Sequence, residues 1–227
     1  MPDVVILAGG LGTRIELVSK GRPKALLPIN GRVFLDFVIE EVSKYEIGTI
    51  YLSVYYCSEL FKDYAAAHTT ASQLIVVVEP RRLGTGGAVA YVTQTFNLTD
   101  PFFIINGDTL SFINLNDMER NFNNSSCDGM LGITYVKNAS RFGTVTVDQN
   151  GLSGFIEKGN IRSGWVNVGY SIFRPQLFSE YFGSFSLEHD LIPKLARNGS
   201  LEAFKTDEDF IDIGTPEDYY RFVREYR

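Results

Sequence analysis

The apolar run Val4-Val5-Ile6-Leu7 passes directly into Ala8-Gly9-Gly10-Leu11-Gly12-Thr13-Arg14, and Pro23-Lys24 follows a few residues on. A continuous apolar run ending in glycine is the pattern of a parallel strand buried on both faces. The glycines therefore fall at a strand's carboxyl end, where open α/β sheets bind ligands. Glycines let backbone N–H groups approach phosphate oxygens without a Cβ in the way, and Arg14 and Lys24 add positive charge suited to a polyphosphate. Spacing excludes two familiar phosphate loops. Ile15 stands where a dinucleotide fold has its third glycine, and no Gly-Lys-Ser/Thr closes the segment as in a P-loop. On their own, the same residues would also make a plain strand-to-helix turn.

Downstream periodicity extends the pattern. Phe34, Phe37, Val38, Val42 and Tyr45 predict a helix over residues 33–46, Thr49 to Val54 a strand, residues 57–67 a helix and Leu74 to Val78 a buried strand. The order βαβαβ implies a parallel sheet. Gly84-Thr85-Gly86-Gly87 precedes a helix expected near 87–96, and the strand Pro101 to Ile105 ends in Asn106-Gly107-Asp108. A nucleotide-binding half is expected to close near residue 110. Beyond it, 130–136, 144–148, 153–156 and 165–173 read as short strands of a small sheet extension. This second half, 111–227, belongs to the same single domain and is expected to hold a second substrate. Near the end, Thr215-Pro216-Glu217-Asp218 combines a good N-cap, proline for the first helical position and acids for the first turn.

Composition narrows the partners. A formal net charge of -6 over 227 residues argues against nucleic acid or an anionic membrane as main partner, and no apolar run is long enough to span a bilayer. The chain enters a strand without a charged leader, so a cytoplasmic protein is expected. Cys57 and Cys127 stand far apart with no metal-ligand spacing, which suits buried thiols in a reducing compartment and makes a zinc site unexpected. With only His68 and His189, and no nucleophile elbow, His-based nucleophilic catalysis has little to work with; His189 reads as an ordinary helix residue.

Several carboxylates and amides remain as candidates. Asp108 and Asp212 both lie at strand ends; if they share one rim they can hold Mg²⁺ with triphosphate oxygens, and otherwise each is a turn or capping carboxylate. The turn Leu83 to Ala88, with Gly84 and Thr85, can line a nucleoside pocket. Glu79, ending the strand before it, is an acceptor able to take the two parallel N–H groups of a guanine edge, or else a solvated strand-end glutamate. Glu157-Lys158 offers a phosphate-binding charge and a hydroxyl acceptor, or a solvated hairpin pair. Asn167 and Gly143, the latter in Arg141-Phe142-Gly143, are weaker sugar-binding candidates.

In order along the chain, these motifs resemble those of the sugar-1-phosphate nucleotidyltransferases, the nucleoside-diphosphate-sugar pyrophosphorylases, over nearly its whole length. Phe142 to Val145 and the ending Phe210 to Tyr220 look particularly similar to the D-glycero-α-D-manno-heptose 1-phosphate guanylyltransferases, which make GDP-heptose for bacterial surface polysaccharides. The resemblance implies a nucleotide-diphospho-sugar transferase fold: a Rossmann-like, mainly parallel sheet flanked by helices, with a sugar-binding extension. It implies NTP and sugar 1-phosphate as small-molecule substrates, GTP and a heptose 1-phosphate foremost, with Mg²⁺ as cofactor. Leu7, Ala8, Gly9, Gly10, Gly12, Thr13, Arg14, Lys24, Glu79, Gly84, Thr85 and Asp108 would hold the nucleotide, Arg14, Lys24 and Asp108 would act in catalysis, and Asp108 and Asp212 would bind the metal. Asn106, Gly143, Glu157, Lys158 and Asn167 would hold the sugar phosphate. The resemblance further implies that the chain, ending after its last helix, lacks the β-helical or regulatory domain of longer relatives and has little room for an allosteric site. The sequence leaves open a homodimer, another base and sugar or alcohol phosphate, and a non-catalytic sugar-nucleotide sensor.

Overall fold

The computed structural model describes residues 1–10, 12–68, 72–139, 142–148, 151–156 and 163–226. Nine strands form the main sheet: β1 (Val4–Leu7), β2 (Ile50–Val54), β3 (Leu74–Val78), β4 (Phe102–Asn106), β5 (Gly129–Val136), β6 (Thr144–Asp148), β7 (Gly151–Ile156), β8 (Gly164–Phe173) and β9 (Leu201–Lys205). The order is β7-β6-β8-β4-β1-β2-β3, with β5 pairing β8 on one side and β9 on the other. β1 lies between β4 and β2, parallel to both, as its unbroken apolar run requires. β8 pairs antiparallel with β4, so the later strands continue the same sheet.

The pleat sends successive side chains to opposite faces, and each face carries its own core. Val4, Ile6, Phe103 and Ile105 pack on one side with Phe34, Val38, Phe61 and Phe222, from the helices Phe34–Val42, Ser58–Ala67 and Pro216–Glu225. Val5, Phe102 and Ile104 face the other way, against Val89 and Val92 of the helix Gly84–Phe96 and Leu195 of Ile192–Arg197. Fully burying each such side chain contributes roughly 1.5–3 kcal/mol. The final helix starts as its sequence dictates: Thr215 accepts from the Asp218 N–H, with Pro216 first and two acids in the opening turn.

The expected elements form, with differences. The helix expected over 33–46 forms but ends at Val42, and the helix expected near 87–96 begins at Gly84; the helix Leu115–Asn123, strand β9 and a short ribbon pairing Thr109–Ser111 with Phe210–Asp212 lie outside the pattern. Cys127 is buried, but Cys57 is only half-buried, in a left-handed conformation at φ 54 that caps the helix Ser58–Ala67, so the expectation of two buried thiols holds for one. His189 lies in a π-type turn, Leu187–Leu191, that feeds the helix Ile192–Arg197.

Candidate active site

The parallel strands end level. Leu7 pairs with Ser53 and with Asn106, and Ser53 with Val77, so the chain leaves β1, β2, β3 and β4 along one rim. A cleft of about 290 Å³ follows that rim from Glu79 and Tyr55, past Gly9, Gly10, Gly84 and Thr85, to Lys24 and Asp108. This is the position at which doubly wound sheets bind ligands.

The first glycine segment shapes one wall. Gly12 adopts φ 65, left-handed, and a Cβ there would meet the Lys24 side chain at 3.1 Å. Glycine is thus required both for the turn and for bringing Lys24 close. At Gly9 a Cβ would stand 2.9 Å from the Tyr55 nitrogen, whereas at Gly10 it would meet nothing within 4 Å among the described residues. Gly10 is the one of the three whose missing side chain leaves open space. Thr13 opens the short 3₁₀ turn Thr13–Ile15, which carries Arg14.

At this end of the cleft Lys24 Nζ donates to Asp108 Oδ2 at 2.9 Å. Asp212 arrives from 104 residues later through the short ribbon, in which it pairs with Thr109, while the Ile213 N–H donates to the Asp108 carbonyl at 3.1 Å. The two aspartates therefore do share a rim. Burial, and then the Asp108 charge, push the Asp212 carboxyl above its ordinary range; the Gly214 N–H, Lys24 and Arg14 pull it back. Two hard carboxylates whose charges oppose each other are a donor set suited to a divalent cation that needs oxygen ligands. Mg²⁺ typically takes one or two carboxylates and leaves the rest of its shell to phosphates and water. Among the described residues no cluster of three or more His, Cys, Asp or Glu could form an all-protein cage.

Glu79 terminates β3 at the far end. Only 7% exposed, it is not the solvated strand-end residue that the sequence left open. Its Oε2 accepts the Leu83 N–H at 3.1 Å and its Oε1 the Ser53 hydroxyl at 3.4 Å. Burial pushes its carboxyl up, and those two bonds oppose the shift. Each oxygen accepts one bond and keeps further acceptor capacity, and the residue lines the cleft.

The second glycine turn divides between two surroundings. Gly84 and Thr85 line the cleft, but the glycines beyond them serve the protein's own packing. A Cβ on Gly86 would lie 2.2 Å from the Phe185 ring, and one on Gly87 2.3 Å from the Gly183 carbonyl oxygen. The Gly86 and Gly87 N–H groups at the helix start both donate to the Phe185 carbonyl, at 3.1 and 3.2 Å. These orphan donors are already satisfied from within the fold.

Three residues expected to hold the sugar phosphate, Asn106, Asn167 and Gly143, come together. The Asn167 N–H donates to the Gly143 carbonyl at 3.1 Å, and the Asn167 side chain accepts the Gly169 N–H at 2.9 Å across an irregularity in the β8–β5 pairing. Gly169, at φ 76, brings the backbone against Asn106, whose Nδ2 would be 3.0 Å from a Cβ there. Arg141, Glu157 and Lys158 lie outside the described residues. The sequence reading missed Tyr55, Arg82 and Glu188, all of which line the cleft. The glycine turn beside Arg82 and the acid in Leu187-Glu188-His189-Asp190 were visible, but nothing local joins them.

A family model described as Nucleotidyl transferase matches residues 3–227. The chain is 32% identical over 224 residues to a Campylobacter jejuni protein named D-glycero-alpha-D-manno-heptose 1-phosphate guanylyltransferase, covering 97% of this chain and 98% of that one. A Sulfolobus acidocaldarius relative is 30% identical over 97% of this chain, which spans 62% of that relative's length. The structure of HddC from Yersinia pseudotuberculosis complexed with GMP-PN superposes with a TM-score of 0.88 at 32% identity, covering both chains fully.

Proposed function

Since the chain belongs to the nucleotidyl transferase family, we propose that it transfers guanylyl from GTP to D-glycero-α-D-manno-heptose 1-phosphate, releasing pyrophosphate and yielding a GDP-heptose for surface polysaccharide. The observation that carries this reading is one cleft with the buried acceptor Glu79 at one end and the Lys24–Asp108 pair at the other. Glu79 suits guanine because that base offers N1–H and an exocyclic amino group on one edge, while adenine lacks the pair. The names of the Campylobacter jejuni relative and the GMP-PN complex of HddC support the same base and sugar.

A phosphate oxygen of the sugar 1-phosphate attacks the α-phosphorus in line; a new P–O bond forms as the bond to the β-phosphate oxygen breaks, and pyrophosphate leaves carrying the electron pair. No protein nucleophile is needed. Lys24 and Arg14 would neutralise triphosphate oxygens, the Gly10 backbone would admit them, and Asn106, Gly143, Asn167, Glu157 and Lys158 would hold the sugar phosphate. Alignment and charge neutralisation supply the acceleration in such transfers. Mg²⁺ held by Asp108 and Asp212 would add Lewis-acid neutralisation of phosphate charge. The first half of the chain would serve the nucleotide, the second the sugar, in a cytoplasmic enzyme.

Pyrophosphate release with four NTPs against a panel of sugar 1-phosphates tests the reading. GTP with the heptose 1-phosphate should dominate, EDTA should abolish turnover and Mg²⁺ should restore it. Preference for UTP, or for another sugar by tenfold or more, would overturn the assignment.

A further inference from the structure

Glu188 is a built feature of the cleft that the reaction described so far leaves unused. It lines the cleft beside Gly84, Thr85 and Ala88, although it comes from the π-type turn Leu187–Leu191, 103 residues from Thr85. Insertions of this kind recur at functional sites. Its Oε2 is held from two sides, accepting the Thr85 hydroxyl at 2.6 Å and the Ser186 hydroxyl at 2.9 Å, and the Leu187 N–H in turn donates to Thr85 Oγ1 at 2.9 Å. These bonds fix the carboxylate's rotamer. Among the described residues, Oε1 has no protein partner. No Lys or Arg forms an ion pair with it there, so it is not explained as half of a salt bridge.

A cleft-lining carboxylate with one oxygen clamped by hydroxyls and the other without a partner among the described residues is a preorganised acceptor. It repels phosphate, which places its ligand away from the triphosphate at the Lys24 end. It cannot accept from a group that has only lone pairs. The remaining donors on a nucleotide and a sugar phosphate, apart from the base edge assigned to Glu79, are hydroxyls. We propose that Glu188 is a specificity-determining residue that accepts a hydrogen bond from a substrate hydroxyl, on the ribose of the nucleotide or on the ring of the acceptor sugar. The Thr85–Ser186 clamp sets its direction, which gives Thr85 of the second glycine turn a function its neighbours Gly86 and Gly87 lack. A charge-assisted bond of this kind makes loss of the hydroxyl worth about 10- to 100-fold in kcat/KM.

The inference rests on the nucleotidyl-transfer reading and is tested by ratios, so the two fail differently. In one arm, wild type, Glu188→Gln and Glu188→Ala are assayed with GTP, 2′-deoxy-GTP and 3′-deoxy-GTP. In the other, the acceptor sugar 1-phosphate is compared with its 2-, 3- and 4-deoxy analogues. Wild type should lose about 10- to 100-fold with one deoxy substrate, and Glu188→Ala should lose activity with the parent but discriminate against that analogue by less than threefold. Glu188→Gln should fall between them. The arm in which discrimination collapses identifies the source of the hydroxyl. A purely structural role would lower activity with parent and deoxy substrates by the same factor. If every deoxy penalty survives in Glu188→Ala, or no substrate shows one in the wild type, the proposal is wrong. Absence of any nucleotidyl transfer by the wild type would instead defeat the reading beneath it.

Discussion

The two glycine-rich turns of this protein look alike in sequence, yet Gly10 of the first and Gly86 and Gly87 of the second do opposite work. In the first, Gly10 borders open cleft and Gly12 turns the chain so that Lys24 can reach Asp108. In the second, Gly86 and Gly87 are filled against Phe185 and Gly183, and their N–H groups are satisfied by the Phe185 carbonyl. A glycine after a strand therefore signals close approach without saying what approaches. What differs is the neighbouring space, open and lined by charged groups at Gly10 and filled by a loop of the same chain at Gly86 and Gly87.

The largest effect that could break this contrast is at the charged end. Asp108→Asn should cut kcat at least 10²-fold while moving the melting temperature by less than about 2 °C, because it removes a charge that organises phosphate rather than a packing contact. Activity within threefold of wild type would remove Asp108 from the mechanism.

Paired glycine substitutions sharpen the comparison directly. Gly10→Ala should raise the KM for the NTP by about tenfold with an unchanged melting temperature, since a Cβ obstructs ligand and not protein. Gly87→Ala should do the reverse. Forcing a Cβ against the Gly183 carbonyl costs about 3 kcal/mol against about 1 kcal/mol gained in helix propensity, and so lowers the melting temperature of a chain of this size by roughly 4–8 °C. Calorimetry beside steady-state kinetics reads both. Equal thermal losses in the two variants would mean that the turns are not different in kind.

The smallest expected effect is the pH dependence of stability. Folded Glu79 binds its proton more tightly than its ordinary value of 4.5. The stability it contributes is therefore full below that value and is lost as pH rises through the folded one. Glu79→Gln removes this dependence, so its stability relative to wild type should increase between pH 4.5 and 7 in denaturant titrations. A constant difference across that range would show that burial does not perturb the group.

Much of this was legible because it is local or periodic. The continuous apolar runs Val4–Leu7 and Leu74–Val78 fix the parallel sheet, and Thr215-Pro216 marks the last helix at its first residue. Asp108 and Asp212 could be paired because both follow apolar runs to their ends: Asp108 lies in the turn after Phe102–Asn106 and Asp212 closes Phe210–Asp212. Leu115, Met118 and Phe122 carried helical spacing that went unread in a polar segment. The helix Gly84–Phe96 starts within its glycines because the loop through Phe185 holds them there, a contact across a hundred residues. Glu188 escaped for the same reason: its role depends on Thr85, and no pattern in either segment points to the other.

Equilibrium binding to the intact protein tests the central claim, that one cleft seats the base at Glu79 and the phosphates at Lys24. Calorimetric titration of non-hydrolysable GTP and UTP analogues into wild type, Glu79→Gln and Lys24→Ala separates the two ends. Glu79→Gln should weaken the GTP analogue by about 2–3 kcal/mol, roughly 30- to 150-fold, and leave the UTP analogue within threefold, whereas Lys24→Ala should weaken both by the same factor. If Glu79→Gln weakened both analogues equally, or Lys24→Ala weakened only one, the cleft would not hold a nucleotide in this orientation.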